Sequence, residues 1–470
     1  MLFIELRFFL FFAVIFGLYW SLRSNQARKS LLLAGSYLFY AAWDYRFLSL
    51  ILLSTAVNYF AAHKIYVTTN RERRLQWLVI TLTYNIGVLF CFKYLEFFIL
   101  TFVDLLKIFN FSIHYSSLEI ILPVGISFYT FHALSYPLDV YHRNLEPKRQ
   151  LLDFSLFIAF FPQMLAGPIM RAKEFLPQLE LIRNLKDVEF RRCLVLFVIG
   201  FIKKAVISDI VAPHVDQIFA NPQAYQTGDV IYGQILYAVQ IYCDFSGYTD
   251  MALATAGLLG YTLPQNFNFP FFAGNISEFW RRWHMSLSRW LHDYVYISLF
   301  FLGQNRDKSM IQRNLIITML LCGLWHGAAW GYIIFGIMHG SALVLHQEWQ
   351  LFVRRRKIRI PFWGLFSTLI TFSWASWTFV YFRAKEASVA WYMTIGTLFS
   401  NPSAQEKLTL NAPLVIGSLA LIHWCFYRWK LYDWLANRQP WMVAILLGGS
   451  LALAISFIPS HYQPFIYFQF

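Results

Sequence analysis

The sequence predicts an all-α protein, a polytopic helical bundle in a membrane, and three observations predict it. Of 470 residues, 58% are hydrophobic and only 14% are charged, against about 25% charged in a soluble globular domain. Apolar runs recur along the whole chain, many of them near the length of about 20 residues that a spanning helix needs. The basic residues collect between those runs. An aromatic content of 20%, with 48 Phe and 17 Trp, suits bilayer interfaces and large buried cavities.

The predicted spans, in order, are Phe8–Leu22, Ser30–Ala42, Phe47–Ala62, Leu75–Phe92, Ile120–Tyr136, Leu152–Ala166, Cys193–Val211, Val230–Cys243, Leu315–Trp330, Gly331–Leu345, Phe362–Phe382, Pro413–Tyr427 and Met442–Ile458. Several are short and tightly joined, which leaves room for re-entrant or tilted elements. The first run reads as a retained span: Glu5 and Arg7 flank it weakly, and Arg23, Arg28 and Lys29 follow it where a cleavage site would need small residues.

A formal net charge of +14 invites a nucleic-acid reading. The placement of the charge argues against it. The clusters Arg23–Lys29, Lys64–Arg74, Arg143–Arg149, Arg171–Arg192, Arg281–Arg289 and Arg354–Arg359 fall between apolar runs, which is the positive-inside pattern. It puts the N-terminus outside and the loops after spans one and three in the cytoplasm. Glu96–Asn110 fits this scheme as an interfacial or re-entrant element. No repeat or flexible linker divides the chain, so residues 1–470 read as a single multi-pass domain with a functional core within about 120–345.

The five cysteines, Cys91, Cys193, Cys243, Cys322 and Cys425, lie in or beside apolar segments without paired spacing. They argue against a disulfide framework and against a zinc site, and no metal is expected. There is no Walker A sequence, GxSxG elbow or HExxH pair.

Polar groups inside a membrane are expensive, so each is a functional hypothesis. Three places stand out. In Leu321–Trp330, His326 interrupts an apolar run among Gly323, Gly327, Ala328 and Ala329, with Trp325 and Trp330 as walls. Small residues let a helix or ligand come close, and a buried neutral imidazole suits general-base work. The bland reading is a histidine bonded to a neighbouring helix, and the segment alone divides the two evenly. For His339, thirteen residues on, the structural reading is the stronger.

In Glu278–Tyr294, Phe279, Trp283, Leu287, Trp290 and Tyr294 form one stripe at about 100° per residue, opposite Glu278, Arg281, Arg282, Arg289, His292 and Asp293. That predicts one amphipathic helix at the cytoplasmic interface. Snorkelling explains the arginines but explains His284, at the edge of the apolar stripe, less well. Arg281, Arg282 and Arg289 would also suit the phosphates of a nucleotide-bearing donor. In Gln240–Met251, Asp244 and Asp250 interrupt an apolar region around Ser246, Gly247 and Thr249. Gly247 permits either a close backbone approach or a break, and the group reads as the lining of a pocket.

Taken together these segments resemble the membrane-bound O-acyltransferase family, in its bacterial branch of alginate O-acetylation and D-alanyl transfer membrane proteins. The matching pieces run in order: Leu122–Tyr129, Asp139–Tyr141, Phe161–Arg171, Asp244–Asp250, Asn266–Pro270, Glu278–Tyr296, Leu324–Trp330 and Pro464–Phe470. Any one is weak, but eight in this order are specific. One departure is Gly303–Arg306, Gly-Gln-Asn-Arg, where relatives of the alginate type often carry Gly-Gly-Asn-Arg.

The resemblance implies helices around a central tunnel, in the cytoplasmic (inner) membrane of a bacterium. It implies two functional histidines, matched by His326 in the Trp-His-Gly segment and His284 in the Arg-Trp-His-x-Ser-Leu segment. The expected reaction takes an acyl group, acetyl from acetyl-CoA, out of the cytoplasm for O-acetylation of an envelope polymer such as alginate or peptidoglycan. No bound cofactor is expected. A periplasmic or membrane-anchored transferase of the SGNH type would receive the acyl group. The alternatives are D-alanyl transfer to teichoic-acid-type polymers and a transporter or flippase, which would move a substrate without group transfer. A scaffold would tolerate loss of His326. A glycosyltransferase would want paired carboxylates in a metal-binding context.

Overall fold

A computed structural model describes residues 1–111, 115–118, 120–301, 307–357, 361–399, 404, 406–408, 410–457 and 465–466. Their regular elements are all helices, and the one β-bridge among them joins Tyr225 and Glu406. By internal contacts they form two units, Met1–Val188 with Thr255–Pro264, and Glu189–Ala254 with Gln265–Phe470. Gly303–Arg306 and most of Pro464–Phe470 lie outside the described residues.

In the first unit, apolar runs become helices where a short polar residue can start them. Ser24 accepts a hydrogen bond from the Ala27 N–H at the start of Asn25–Asp44, and Asn70 accepts one from Arg73 N–H at the start of Arg71–Leu89. A side-chain oxygen there satisfies a main-chain donor that has no partner within the helix. Some buried polar side chains of this unit match one another. Asn58, Asn85, Thr81 and Ser54 bond to one another at 3.0–3.3 Å, and buried Lys29 meets Asp153 at 2.6 Å.

Among the described residues, three stretches are long and apolar enough to cross a membrane: Asn25–Val67, Arg71–Ile108 and Trp363–Arg383. The second corrects an expectation. Glu96–Asn110 does not form a separate interfacial element. Arg71–Leu89 runs through a π-helical turn at Phe90–Tyr94 into Leu95–Ile108. Phe98, Phe102, Leu105 and Ile108 on that extension are exposed, as residues facing lipid would be. The Leu152–Ala166 run differs too. Its helix ends at Ala159, Phe160 turns the chain, and Pro162 opens a short helix at Phe161–Met164. Residues 153–166 are buried throughout, so their apolarity reflects packing inside protein.

In the second unit, Phe190–Phe201 continues through π-helical Ile202–Ser208 into Asp209–Ala220. Its buried Val195 and Ile199 pack with Val443 of Pro440–Ser456. The helix Thr227–Leu258 is unbroken, so Gly247 serves close approach and not a break. A Cβ there would sit 2.6 Å from the Gly200 carbonyl oxygen, and one on Gly200 would sit 2.6 Å from that of Gly247. Two glycines facing each other let these backbones touch, the small-residue device of helix packing in membranes.

Candidate functional site

The second unit carries both histidines. Residues 278–294 do not form the single amphipathic helix expected of them. Ile276–Arg282 and Met285–Leu291 are separate short helices, and His284 between them has a left-handed backbone, φ 42°. Such a conformation costs a non-glycine residue of order 1–3 kcal/mol and persists only where its surroundings fix it. The strand-like connection after Thr227–Leu258 fixes it here. Asn268 N–H donates to Arg282 O at 2.9 Å, and Met285 N–H donates to Asn266 O at 2.9 Å. The break leaves the apolar stripe inside: Phe279, Trp283, Leu287 and Trp290 are all buried, with Arg281 and Arg289 exposed.

His326 is the last residue of Lys308–His326, not the middle of a span, and Gly327 leads through an extended connection into Trp330–Arg356. The two helices pack through glycine. A Cβ on Gly323 would overlap the Tyr332 carbonyl oxygen, and one on Gly336 would lie 2.5 Å from Met319 O. This tight hairpin sets His326 against Phe335 and Phe382, at ring-centroid distances of 6.0 and 5.0 Å.

The two histidines meet. Their ring centroids are 6.2 Å apart, and Trp325 touches both, at 5.6 Å from His284 and 5.0 Å from His326. Phe245 stands edge-on to His284 at 4.7 Å. His326 is 3% exposed and His284 0%. His284 lies outside the long apolar spans, and its burial pulls its pKa down to about 3, so the imidazole is neutral at physiological pH. Its Nδ1 lies 3.0 Å from Asn266 Oδ1. Cys322 Sγ approaches His326 Nε2 at 4.0 Å.

Of the other residues singled out in the sequence, Trp325 joins the histidines. Arg282 is held by Glu278, 2.7 Å away, and donates to Asn268 O at 3.3 Å. Arg281 and Arg289 are exposed. Asp244 and Asp250 sit in ion pairs: Lys204 Nζ meets Asp244 at 2.9 Å and Asp209 at 2.8 Å, while Lys203 Nζ meets Asp250 at 2.8 Å. Tyr432 donates to Asp250 at 3.1 Å, and Ile466 N–H donates to Asp244 at 2.7 Å. Ser246 is buried on the same helix. His339 has both ring nitrogens engaged, Nδ1 with Trp280 Nε1 at 3.2 Å and Nε2 with Thr378 Oγ1 at 3.0 Å, a structural histidine.

Asn266, Lys203 and Lys204 carry weight that the sequence reading did not assign. The lysines could have been found: two cations inside the apolar Cys193–Val211 run demand partners, and Asp244 and Asp250 were the carboxylates on offer. Asn266 was visible only as the start of the Asn266–Pro270 match and without a role, because its importance lies in the segment it pairs with.

An all-helical membrane protein with two contacting buried histidines walled by aromatic rings is the class these features define. The sequence profile of MBOAT, the membrane-bound O-acyltransferase family, matches residues 147–384, and the chain belongs to that family; it is a membrane O-acyltransferase. It is 40% identical to a protein of Azotobacter vinelandii named probable alginate O-acetylase, over 82% of this chain and 75% of the relative. It is 37% identical to a peptidoglycan O-acetyltransferase of Helicobacter pylori, over 77% and 72%. With a teichoic acid D-alanyltransferase of Streptococcus thermophilus it shares 33% identity over 50% and 58%.

Proposed function

We propose that this acyltransferase carries acetyl from cytoplasmic acetyl-CoA for O-acetylation of a cell-envelope polymer, of the alginate or peptidoglycan kind, as a multi-pass protein of the bacterial inner membrane. The observation that carries the site assignment is the contact of His284 and His326, both buried, at 6.2 Å between ring centroids. His326 acts as general base and removes the proton of an acceptor hydroxyl. The hydroxyl oxygen attacks the thioester carbonyl, and the thiolate leaves and takes up a proton as free CoA. His284 positions one of the two partners. A thioester is already reactive, so proximity and base catalysis suffice. Trp325 and Phe245 exclude water from the pair. The exposed Arg281 and Arg289 suit the phosphates of the donor, with Arg282 held beside them by Glu278.

In this reading Asp244, Asp250 and Ser246 support the wall behind the histidines and do not bind substrate directly, since both carboxylates already have ammonium partners. The acetyl group finds support in the relatives named for O-acetylation, which align over more of this chain than those named for D-alanyl transfer. The test is His326→Ala, with acetyl-ester content of the envelope glycans measured beside the protein's abundance in the membrane. Ester content should fall to background at normal abundance. Normal ester content without His326 would remove the base assignment.

A further inference from the structure

Asn266 is 1% exposed and bonds to His284 and to the two residues that follow its strained backbone, Met285 and Ser286. Its Oδ1 receives the Ser286 N–H at 3.2 Å and the Ser286 hydroxyl at 2.9 Å, and lies 3.0 Å from His284 Nδ1. A main-chain N–H can only donate, so the amide atom facing Ser286 must be the oxygen and not the nitrogen. An amide oxygen can only accept. In its bond to His284 the proton therefore sits on Nδ1. In a neutral imidazole the other nitrogen, Nε2, then carries the lone pair.

We propose that Asn266 is a positioning residue that fixes His284 as its Nδ1–H tautomer, so that Nε2 meets the reacting groups as a hydrogen-bond acceptor. The inference rests on the reading that His284 takes part in transfer, and it narrows that role. An Nε2 lone pair can receive a hydrogen bond from the acceptor hydroxyl and hold its oxygen in place until the O–H turns toward His326, which then takes its one proton. It cannot donate to the thioester carbonyl, so His284 does not polarise the carbonyl. The same Asn266 side chain holds the tautomer and, through Ser286 N–H, the break that brings His284 to His326. One oxygen thus sets the proton position and adds to the main-chain bonds that hold the backbone.

The experiment uses the full chain in native membranes, with acetyl-CoA titrated and acetyl-ester formation followed across pH. Asn266→Leu keeps the size and removes the acceptor. It should lower the maximal rate about 10- to 100-fold, as loss of the partner that orients a metal-bound histidine does, with KM for acetyl-CoA unchanged. Asn266→Asp keeps the acceptor and adds a charge. It should retain more activity than Asn266→Leu and move the acid limb of the pH profile upward by about one unit or more, because a carboxylate favours the protonated ring. In selectively 15N-labelled wild type, His284 should show a protonated Nδ1 and a bare Nε2. A protonated Nε2, an Asn266→Leu rate within threefold of wild type, or equal losses in both variants with an unmoved pH profile would each overturn the proposal. If Asn266→Leu does not accumulate, Asn266→Asp and the 15N spectrum still decide. His284→Ala, measured beside them, separates the two failures: full activity there removes the reading of His284, whereas loss there with an active Asn266→Leu removes only the role of Asn266.

Discussion

Lys203 and Lys204 are neighbours in sequence, yet they serve different carboxylates, Asp250 for the first and both Asp209 and Asp244 for the second. A buried cation between two carboxylates is hard to remove. Taking away one partner of a buried pair costs about 3–5 kcal/mol, because an uncompensated charge stays behind. Lys204→Met should therefore sharply lower the folded protein in the membrane, read by detergent-extracted yield and thermal melting. Lys204→Met combined with Asp244→Asn should recover part of the loss, since the repulsion between the two carboxylates is relieved. A double variant no better than the single one would mean that Lys204 matters through packing and not through charge. The cluster also links to the site by position, because Asp244 adjoins Phe245, whose ring stands against His284.

At the scale of elements, the hairpin of Lys308–His326 and Trp330–Arg356 places the candidate base. Gly323 and Gly336 face the opposing backbone, with main-chain oxygens where a side chain would begin. Gly323→Ala and Gly336→Ala should each push the helices apart, costing about 1–3 kcal/mol as other overpacked sites do. Each should lower ester formation more than membrane abundance, because His326 moves with the end of its helix. Unchanged ester formation in both would show that the hairpin need not be this tight. The glycines around His326 were readable from sequence as a place of close approach, and so was burial of the stripe from Phe279 to Trp290. The break at His284 was not. A helical wheel assumes one continuous helix, and here tertiary pairing of Asn266 and Asn268 with residues 282–286 interrupts it. The Glu96–Asn110 extension was missed because the placement of basic clusters says nothing of where a helix stops, and here the backbone carries on through a π turn at Phe90–Tyr94.

For the whole molecule, the question is how an acyl group reaches a polymer. Helices account for most of the described residues. Among the described residues no connection is long enough to fold into a polymer-binding surface. On the positive-inside reading of the sequence, the basic clusters between spans would lie on the cytoplasmic side, away from an envelope glycan. A buried histidine pair can deliver the acyl group only to a hydroxyl that comes to it. A long polymer chain does not enter a site walled by Trp325, Phe245, Phe335 and Phe382 as easily as a single side chain or tail of a second protein would. On the function proposed above, the partner would be a periplasmic or membrane-anchored transferase, of the SGNH type that the family resemblance implies, which accepts the acyl group at the membrane and places it on the sugar. Site-directed crosslinking in native membranes, followed by mass spectrometry, should capture one such protein in an acetyl-CoA-dependent manner, and the capture should weaken in His326→Ala membranes. If the purified chain alone esterified the polymer from acetyl-CoA at the rate seen in membranes, no relay would be needed, and the site would have to admit the polymer itself.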